Sequence, residues 1–367
     1  MNSLDKFSEM LCSKISKLVS VLGDSFPFIT ENGKYVTKGN WNSITWWTNG
    51  FWPGILWLMY YKTGDETYMT IAQSCEQKLD AALLEYVGLY HDVGFMWSLS
   101  AVADYKLTGS ERSKERGLAA AGVLASRFNP NGNFIRAWNG KGMEGRAIVD
   151  CLMNLPILYW AGDTEQDPRF YAIARRHTGT VLEHFIREDG SCEHIVDFDA
   201  ETGAVTAKPG GQGYGEDSAW SRGQAWAIYG LALGYAYTGV KRYLDAAKKV
   251  AHFFLASLDE SFVPLSDFRA PSTPVITDAS AGAIAACGLL EIATHVNENE
   301  KGTYQIAAKR LVTALQPYCD FTDRTQAILK GSSGSYHDIL SDGFIFGDYF
   351  LLEALMRLTD SKTPIFW

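Results

Sequence analysis

The 367-residue chain lacks the sequence features that mark secreted, membrane-spanning or nucleic-acid-binding proteins. No apolar run reaches the length that a bilayer-spanning helix needs. Residues 1–23 spread acids and lysines through a helical apolar pattern, whereas a signal peptide has a basic start, a continuous apolar centre and a small-residue cleavage site. The formal net charge of −9 disfavours nucleic acid and anionic membranes, because both require a basic surface. We therefore expect neither partner.

The sequence also has few of the features of disulfide, metal or phosphate sites. Its six cysteines are scattered singly without a CxxC pair, which predicts reduced core thiols of a cytoplasmic protein. His91 and His194 have no third His or Cys at ligand spacing, which favours hydrogen bonding to a substrate over metal binding. The glycines of residues 210–215 join no strand to a helix in the manner of a phosphate-binding loop. We expect no metal and no other cofactor.

What the chain does have is a helical hairpin that recurs along its length. An apolar helix is followed by a turn and an amphipathic helix, and the predicted turns fall at Gly64, Gly109, Gly162, Gly239 and Asn297 to Asn299. Six such hairpins, burying their apolar helices inward, predict an all-α fold, an (α/α)6 toroid that residues 1–367 form as one domain. An open α-solenoid is the alternative, although irregular turn spacing and long glycine-rich connections favour a closed ring with a site on one face.

Spacing along the chain predicts which side chains meet at one end of this ring. Trp47, Asp92 and Arg222 each lie 17 residues before the turn glycine of their hairpin, so they should share one height near the starts of inner helices. Asp150 lies 12 residues before Gly162, which predicts a position several ångströms deeper. The expected mouth therefore collects a Trp, an Asp and an Arg, with a second Asp beneath them.

Asp150 is unusual because it interrupts an almost wholly apolar run, GRAIVDCLMNLPILYWAGD. A buried charge without partners is costly, so Asp150 fits a neutral acid, a paired carboxylate or the cap of the helix that follows. Asp92 fits either a helix N-cap or a second carboxylate whose charge raises the pKa of Asp150. Arg222 fits either a structural tether or a ligand of a substrate carboxylate. Two carboxylates in one cleft are the minimum for acid–base chemistry on a sugar.

Tryptophans are concentrated in the segments that lead into the inner helices. Each one alone would be assigned to the core, but five together favour stacking on pyranose rings: Trp46, Trp47, Trp138, Trp220 and Trp226. The glycine-containing segment 197–223 precedes the fourth inner helix and is predicted to form a lid or a pocket wall.

Several blocks of the sequence together resemble one enzyme family. The unsaturated glucuronyl hydrolases, glycoside hydrolase family 88, are similar to it in NSITWWTNGFWPGILW, YHDVGFMW, RAWN, GRAIVDCLMNLPILYWA, CEHIVDF and GQGYGEDSAWSRGQAWAIYG, within a match from about Trp41 to Leu358. The resemblance implies a cytoplasmic enzyme that acts after polysaccharide lyases and removes 4,5-unsaturated glucuronic acid from the non-reducing end of glycosaminoglycan-type oligosaccharides. It also implies a mechanism in which an acid protonates C4 of the enol ether and water adds at C5.

The resemblance further implies roles for individual residues. Asp150 would be the acid and base, and Asp92 the partner carboxylate that tunes it. The residues implied to line the substrate subsite are Trp46, Asn49, His91, Trp138, His194, Gln212, Trp220, Arg222 and Trp226, with Arg222 as the cation for the uronate. For the second sugar, Lys330, Ser332 and Ser333 fit either a sulfate site or a plain loop.

Other functions remain open at this point. Unsaturated rhamnogalacturonyl hydrolases share the fold and the paired Asp residues, and an inverting (α/α)6 glycosidase on saturated polymer would need an open groove. A sugar epimerase would depend on paired histidines, for which only His91 and His194 are candidates. A non-enzymatic helical scaffold would leave the aligned Asp, Arg and Trp residues unexplained. The sequence does not define the oligomeric state.

Overall fold

The structure is a computed structural model that describes residues 3–36, 43–338, 340–341 and 343–367, so Trp41, where the resemblance begins, lies outside the described residues. In chain order the α-helices are α1 (Ser3–Leu22), α2 (Phe51–Thr63), α3 (Glu66–Glu85), α4 (Val93–Trp97), α5 (Ala103–Thr108), α6 (Glu111–Ser126), α7 (Pro156–Glu165), α8 (Pro168–His184), α9 (Ser221–Thr238), α10 (Lys241–Ala256), α11 (Ala279–His295), α12 (Glu298–Leu315) and α13 (Ile345–Thr359). A π-helical segment, Ser98–Val102, joins α4 to α5, and 3-10 helices span Trp47–Gly50, Val149–Met153 and Gln316–Tyr318. In the described part of the chain, no helix has both the length and the apolar character needed to cross a membrane.

These helices form the double ring that the hairpin pattern predicts. The inner helices are α2, α4 with α5, α7, α9, α11 and α13, and most of their residues are apolar and buried. The outer helices α3, α6, α8, α10 and α12 each pack on the inner helix that precedes them. Helix α13 packs against α11 and α2 and is covered by α1, which closes the ring. The (α/α)6 toroid is confirmed.

Most of the predicted turns lie where the sequence indicates. Gly64, Gly109 and Gly239 follow the ends of their helices in the left-handed conformation, at φ of 71°, 76° and 64°, which glycine adopts without strain. The side chain of Asn297 caps α12 by accepting hydrogen bonds from the N–H groups of Asn299 and Glu300. The turn predicted at Gly162 is wrong.

The third hairpin turns at Gln166 instead, where φ is 53° after the end of α7. Gly162 lies inside α7, and a Cβ there would come within 2.6 Å of the Tyr171 ring, so this glycine permits close packing of α7 on α8. Counted from Gln166, Asp150 lies 16 residues before the turn, since 166 − 150 = 16. This count removes the reason for placing Asp150 deeper than Asp92.

Short antiparallel strands lie in the connections from an outer helix to the next inner helix, hence at one end of the ring. Three two-stranded pairs are β1 (Thr30–Glu31) with β2 (Lys34–Tyr35), β3 (Phe128–Asn129) with β4 (Phe134–Ile135), and β8 (Ser332–Ser333) with β9 (Leu340–Ser341). A three-stranded sheet has β6 (Ile195–Phe198) in the middle, between β5 (Arg146–Ile148) and β7 (Val205–Ala207). In the three-stranded sheet Ile148 lies opposite Ile195, and the Val149 N–H donates to the carbonyl of His194 at 3.0 Å. This register brings Asp150 and His194 together.

Candidate active site

A cavity of about 540 Å³ opens at the end of the ring where these connections meet. Its wall is largely aromatic and includes Phe28, Trp46, Trp47, Tyr90, Trp138, Trp220, Phe344 and Phe346. Its polar side chains include three carboxyl groups, one guanidinium, two amides and one hydroxyl. They belong to Asp92, Asp150, Asp338, Arg222, Gln212, Asn139 and Ser335. Aromatic walls with a few convergent polar groups are typical of a pocket for a small ligand such as a sugar.

Asp150 is the residue of this cavity that is best suited to donate a proton. It does not cap the following helix, because α7 begins only at Pro156. Its side chain is 14% exposed, and Oδ2 is buried without a hydrogen-bond partner among the described residues. Burial and then the charge of Asp92 raise the pKa of Asp150 to about 7, against the smaller opposing effects of His91 and Arg222. Asp150 therefore retains its proton close to neutral pH, as a general acid requires.

Asp92 is the second carboxylate of the cavity. It occupies the N-cap position of α4, but its side chain makes no capping hydrogen bond. Its Oδ1 instead accepts a hydrogen bond from Nδ2 of Asn154 at 3.1 Å and lies 3.3 Å from Nε2 of His91. Within the described residues, no three or more His, Cys, Asp or Glu side chains gather as metal ligands. The arrangement therefore offers one carboxyl that keeps its proton and one that accepts hydrogen bonds.

His91 and His194 lie behind the two carboxyl groups and not on the cavity wall. Both are buried, and Nε2 of His194 is 3.6 Å from Oδ2 of Asp150. Nδ1 of His194 accepts the Gln212 N–H at 2.9 Å, which assigns the ring proton to Nε2, on the side of Asp150. Burial lowers the pKa of His194 to about 3, so its ring is neutral. The structure places His91 beside Asp92 and His194 beside Asp150, and contact of these histidines with the substrate stays a prediction.

Arg222 faces the cavity but is held by other protein groups. Its guanidinium is paired with the buried Asp278 and donates to the carbonyl oxygens of Ser333 and Gly334. The same group lies over the Trp220 ring, 4.6 Å from the centroid. Asp278 compensates the charge of Arg222, and the role of Arg222 as the cation for the uronate stays a prediction. The contacts of Arg222 are those of a structural tether, the alternative that the sequence also allows.

Comparison with known proteins identifies the family of this site. The profile described as Glycosyl Hydrolase Family 88 matches residues 24–273. The unsaturated glucuronyl hydrolase of Bacillus sp. (strain GL1) is 41% identical over 355 residues, which cover 93% of this chain and 93% of that protein. The chain belongs to glycoside hydrolase family 88.

Further family 88 proteins are similar across the fold. The unsaturated chondroitin disaccharide hydrolase of Streptococcus pyogenes serotype M1 is 35% identical over 92% of this chain and 86% of its own length. A solved structure of a UGL variant with dGlcA-Glc-Rha-Glc has a TM-score of 0.92 at 37% identity and covers 97% of both chains. The family 88 chain is therefore a glycoside hydrolase.

Not every residue that the resemblance implies lines the cavity of this family 88 enzyme. Trp226 is 1% exposed and packs against Phe95 and Phe350, with centroid distances of 5.1 and 5.4 Å. Asn49 is buried, and its amide donates to two carbonyl oxygens of the preceding loop at 3.1 Å each. Neither residue belongs to the cavity lining, and contact of Trp226 and Asn49 with the substrate stays a prediction. Those that do line the cavity are Trp46, Trp138, Gln212, Trp220 and Arg222.

The loop after α12 contributes different residues from those proposed for a sulfate site. Ser332 and Ser333 are buried and hydrogen-bonded within the wall, and Lys330 lies 3.7 Å from the carboxylate of Asp320. Asp338 of the same loop lines the cavity instead. Protein groups therefore contact all three residues, and the sulfate alternative for them stays a prediction. The side chains that this loop presents to the cavity include the acid Asp338 and Ser335.

Proposed function

We propose that this enzyme removes 4,5-unsaturated glucuronic acid from the non-reducing end of a lyase-generated oligosaccharide by hydrating its enol ether. The observation that carries the proposal is Asp150, with a pKa of about 7, on the cavity wall with Asp92. The relatives' names support the substrate class, since they specify unsaturated glucuronyl groups, unsaturated chondroitin disaccharides and dGlcA-Glc-Rha-Glc. A pocket also suits release of one terminal sugar better than an open groove would.

In the proposed reaction, one carboxyl group serves as acid and then as base. Asp150 transfers its proton to C4 of the double bond, and positive charge develops at C5 and the ring oxygen. The Asp150 carboxylate then takes a proton from water, whose oxygen bonds to C5. The resulting hemiketal opens, and the hemiacetal that this leaves at C1 expels the neighbouring sugar. Asp150 ends the cycle protonated, while Asp92 accepts sugar hydroxyl groups and keeps the proton on Asp150 through its charge.

The decisive assay follows the ultraviolet absorbance of the conjugated double bond in lyase-generated unsaturated disaccharides. We expect the absorbance of chondroitin-derived disaccharides to disappear with native enzyme and to persist with heat-inactivated enzyme. Unsaturated rhamnogalacturonan disaccharides test the alternative substrate class in the same way. The proposal is contradicted if folded enzyme consumes only the rhamnogalacturonan products or neither substrate.

The pH dependence of turnover should reflect the proton on Asp150. The acid must be protonated to attack C4, and its pKa is about 7, so we expect kcat to fall as pH rises through about 7. We would measure kcat from the loss of absorbance at saturating unsaturated disaccharide, from pH 4 to 9. The decrease of kcat at high pH is the alkaline limb of this profile. A kcat that stayed constant to pH 9 would show that another group donates the proton.

The charges around the cavity also bear on the sugar that leaves. Among the described residues that line the cavity, Arg222 carries the only positive charge, and Asp278 compensates it. Asp92, Asp150 and Asp338 are acids, so a second anion beside the uronate meets no unpaired cation among the described lining residues. We therefore propose that the preferred leaving sugar is unsulfated.

An Asp338→Asn variant should reduce this preference. Like charges about 4 Å apart across a water-exposed site repel by roughly 1 kcal/mol, so relief should raise kcat/KM for a sulfated disaccharide by about fivefold. The unsulfated disaccharide is the internal control and should change little. An equal change for both disaccharides would mean that Asp338 does not sense the sulfate.

We also propose that residues 1–367 form one catalytic domain in the cytoplasm. The packing of α1 on α13, which links the two ends of the chain, supports the single domain. The six unpaired cysteines fit a reducing compartment. Limited proteolysis and cell fractionation test the two statements separately.

A further inference from the structure

Asn154 lies between the two acids and is completely buried. Its Nδ2 donates to Oδ1 of Asp92 at 3.1 Å and to the main-chain carbonyl of Asp150 at 3.3 Å. Its Oδ1 accepts the N–H of Phe95 at 2.8 Å. Because a backbone N–H can only donate, this bond fixes which end of the amide faces Asp92. One side chain thus connects both acids.

Local structure explains how Asn154 reaches this position. It is the C-cap of the 3-10 helix that carries Asp150 and lies two residues before Pro156, the first residue of α7, so the chain itself places it close to that acid. Helix α4, whose N-cap is Asp92, belongs to the preceding inner position of the ring and approaches through Gly94, where a Cβ would lie 2.5 Å from Cα of Asn154 and 2.7 Å from its Oδ1. Only glycine permits this approach at residue 94.

We propose that Asn154 is a positioning residue that holds the Asp92 carboxylate and the Asp150 main chain in one fixed arrangement for proton transfer. The inference rests on the proposed function, because it assigns Asn154 a part in the hydration step. Asn154 does not line the cavity and is not expected to touch the substrate. Its removal should therefore lower kcat and leave KM nearly unchanged.

A positioning role of Asn154 would affect the pH dependence of kcat, whereas a role in packing alone would not. The charge of Asp92 is the second cause, after burial, of the raised pKa of Asp150. The Asn154 donor holds the Asp92 carboxylate beside Asp150. Loss of the donor lets the two carboxyl groups separate, and a greater distance weakens the repulsion that keeps the proton on Asp150. The other titratable and charged groups that act on the two acids or respond to them are Tyr90, His91, Arg127, Cys151, His194 and Arg222.

Two variants separate positioning from packing. Asn154→Leu keeps the volume without the donor, and we expect kcat to fall roughly tenfold to a hundredfold, with the alkaline limb of kcat moved to lower pH. Asn154→Asp is isosteric, and its protonated form can still donate to Asp92. Its activity should approach that of the wild type in acid and fall away as pH rises. Asn154→Asp still tests the proposal if Asn154→Leu does not fold.

Gln224→Leu is the matched control. Gln224 is equally buried, and its amide bonds only the main chain of Cys192, at 2.9 and 3.2 Å. We expect this variant to lower Tm without moving the alkaline limb. A pH-independent loss in both Asn154 variants, or wild-type kinetics in either, overturns the inference while leaving the hydration chemistry intact. If wild-type enzyme itself fails to consume unsaturated disaccharide, the proposed function fails first.

Discussion

An Asp150→Asn variant is expected to fold normally and to lose about 10²- to 10⁴-fold in kcat on unsaturated disaccharides. The amide has the shape of the carboxylic acid but cannot give its proton to C4 or take one from water. The neutral amide should also be tolerated at the site, because Asp150 already retains its proton to about pH 7. Circular dichroism measures whether the variant is folded, and the absorbance assay measures kcat in the same preparation.

Stability measurements provide an independent check on the same variant. The pKa of Asp150 is raised from 3.8 to about 7 in the folded protein, so this group makes wild-type folding less favourable as pH rises from about 4 through 7. The amide does not titrate. We therefore expect the Tm of Asp150→Asn, relative to that of wild type, to be higher at pH 8 than at pH 4.

Asp348→Asn is the matched control for burial of a carboxyl group. Burial likewise raises the pKa of Asp348 to about 7, but this side chain accepts hydrogen bonds from Tyr35 and from the N–H groups of Ile328 and Leu329, away from the cavity. Its variant should lose Tm and retain most of the kcat of the folded protein. Substantial activity in folded Asp150→Asn, or an equal loss in both variants, would remove Asp150 from its catalytic role.

The ring and the place of Asp150 in its cavity were predictable because both follow from local sequence patterns. Helices α9 and α11 are apolar on nearly every side, whereas α10 alternates apolar and polar faces, which distinguishes an inner from an outer position. Asp150 stands alone in an apolar run. The third turn was misplaced because a glycine that admits a neighbouring ring looks like a glycine that ends a helix. Asp167 and Pro168, the cap and first residue of α8, were the better signal.

The partners of the site residues were not predictable, because they come from distant parts of the chain. Asp278 lies 56 residues after Arg222, and nothing near either residue indicates that the two form a pair. Asn154 meets a carboxylate 62 residues earlier, and in sequence it is only a polar residue before a helix. Trp220 is the N-cap of α9 and Trp226 lies in its second turn, yet Trp220 lines the cavity and Trp226 packs in the core, a difference set by tertiary packing.

Solvent deuterium should distinguish hydration of the enol ether from conventional glycoside hydrolysis by the same two acids. Hydration places a solvent-derived hydrogen on C4, whereas attack at the anomeric carbon forms no bond there. Reaction in D₂O should therefore leave one deuterium at C4 of the released keto acid. A single stereochemistry is expected at early times, because Asp150 delivers the proton from one face of the cavity. Proton and deuterium NMR of the product measures both features.

A saturated β-glucuronide of the same disaccharide is the matched substrate control. It lacks an alkene to protonate, so we expect no detectable cleavage under conditions in which the unsaturated disaccharide is consumed. Conventional hydrolysis would instead need a water or a carboxylate directed at the anomeric carbon, with the second acid protonating the leaving oxygen. Product without deuterium at C4, or comparable cleavage of the saturated glycoside, would mean that Asp92 and Asp150 act as such a pair. Deuterium at C4 with an inert saturated glycoside requires the double bond to be the group that Asp150 protonates.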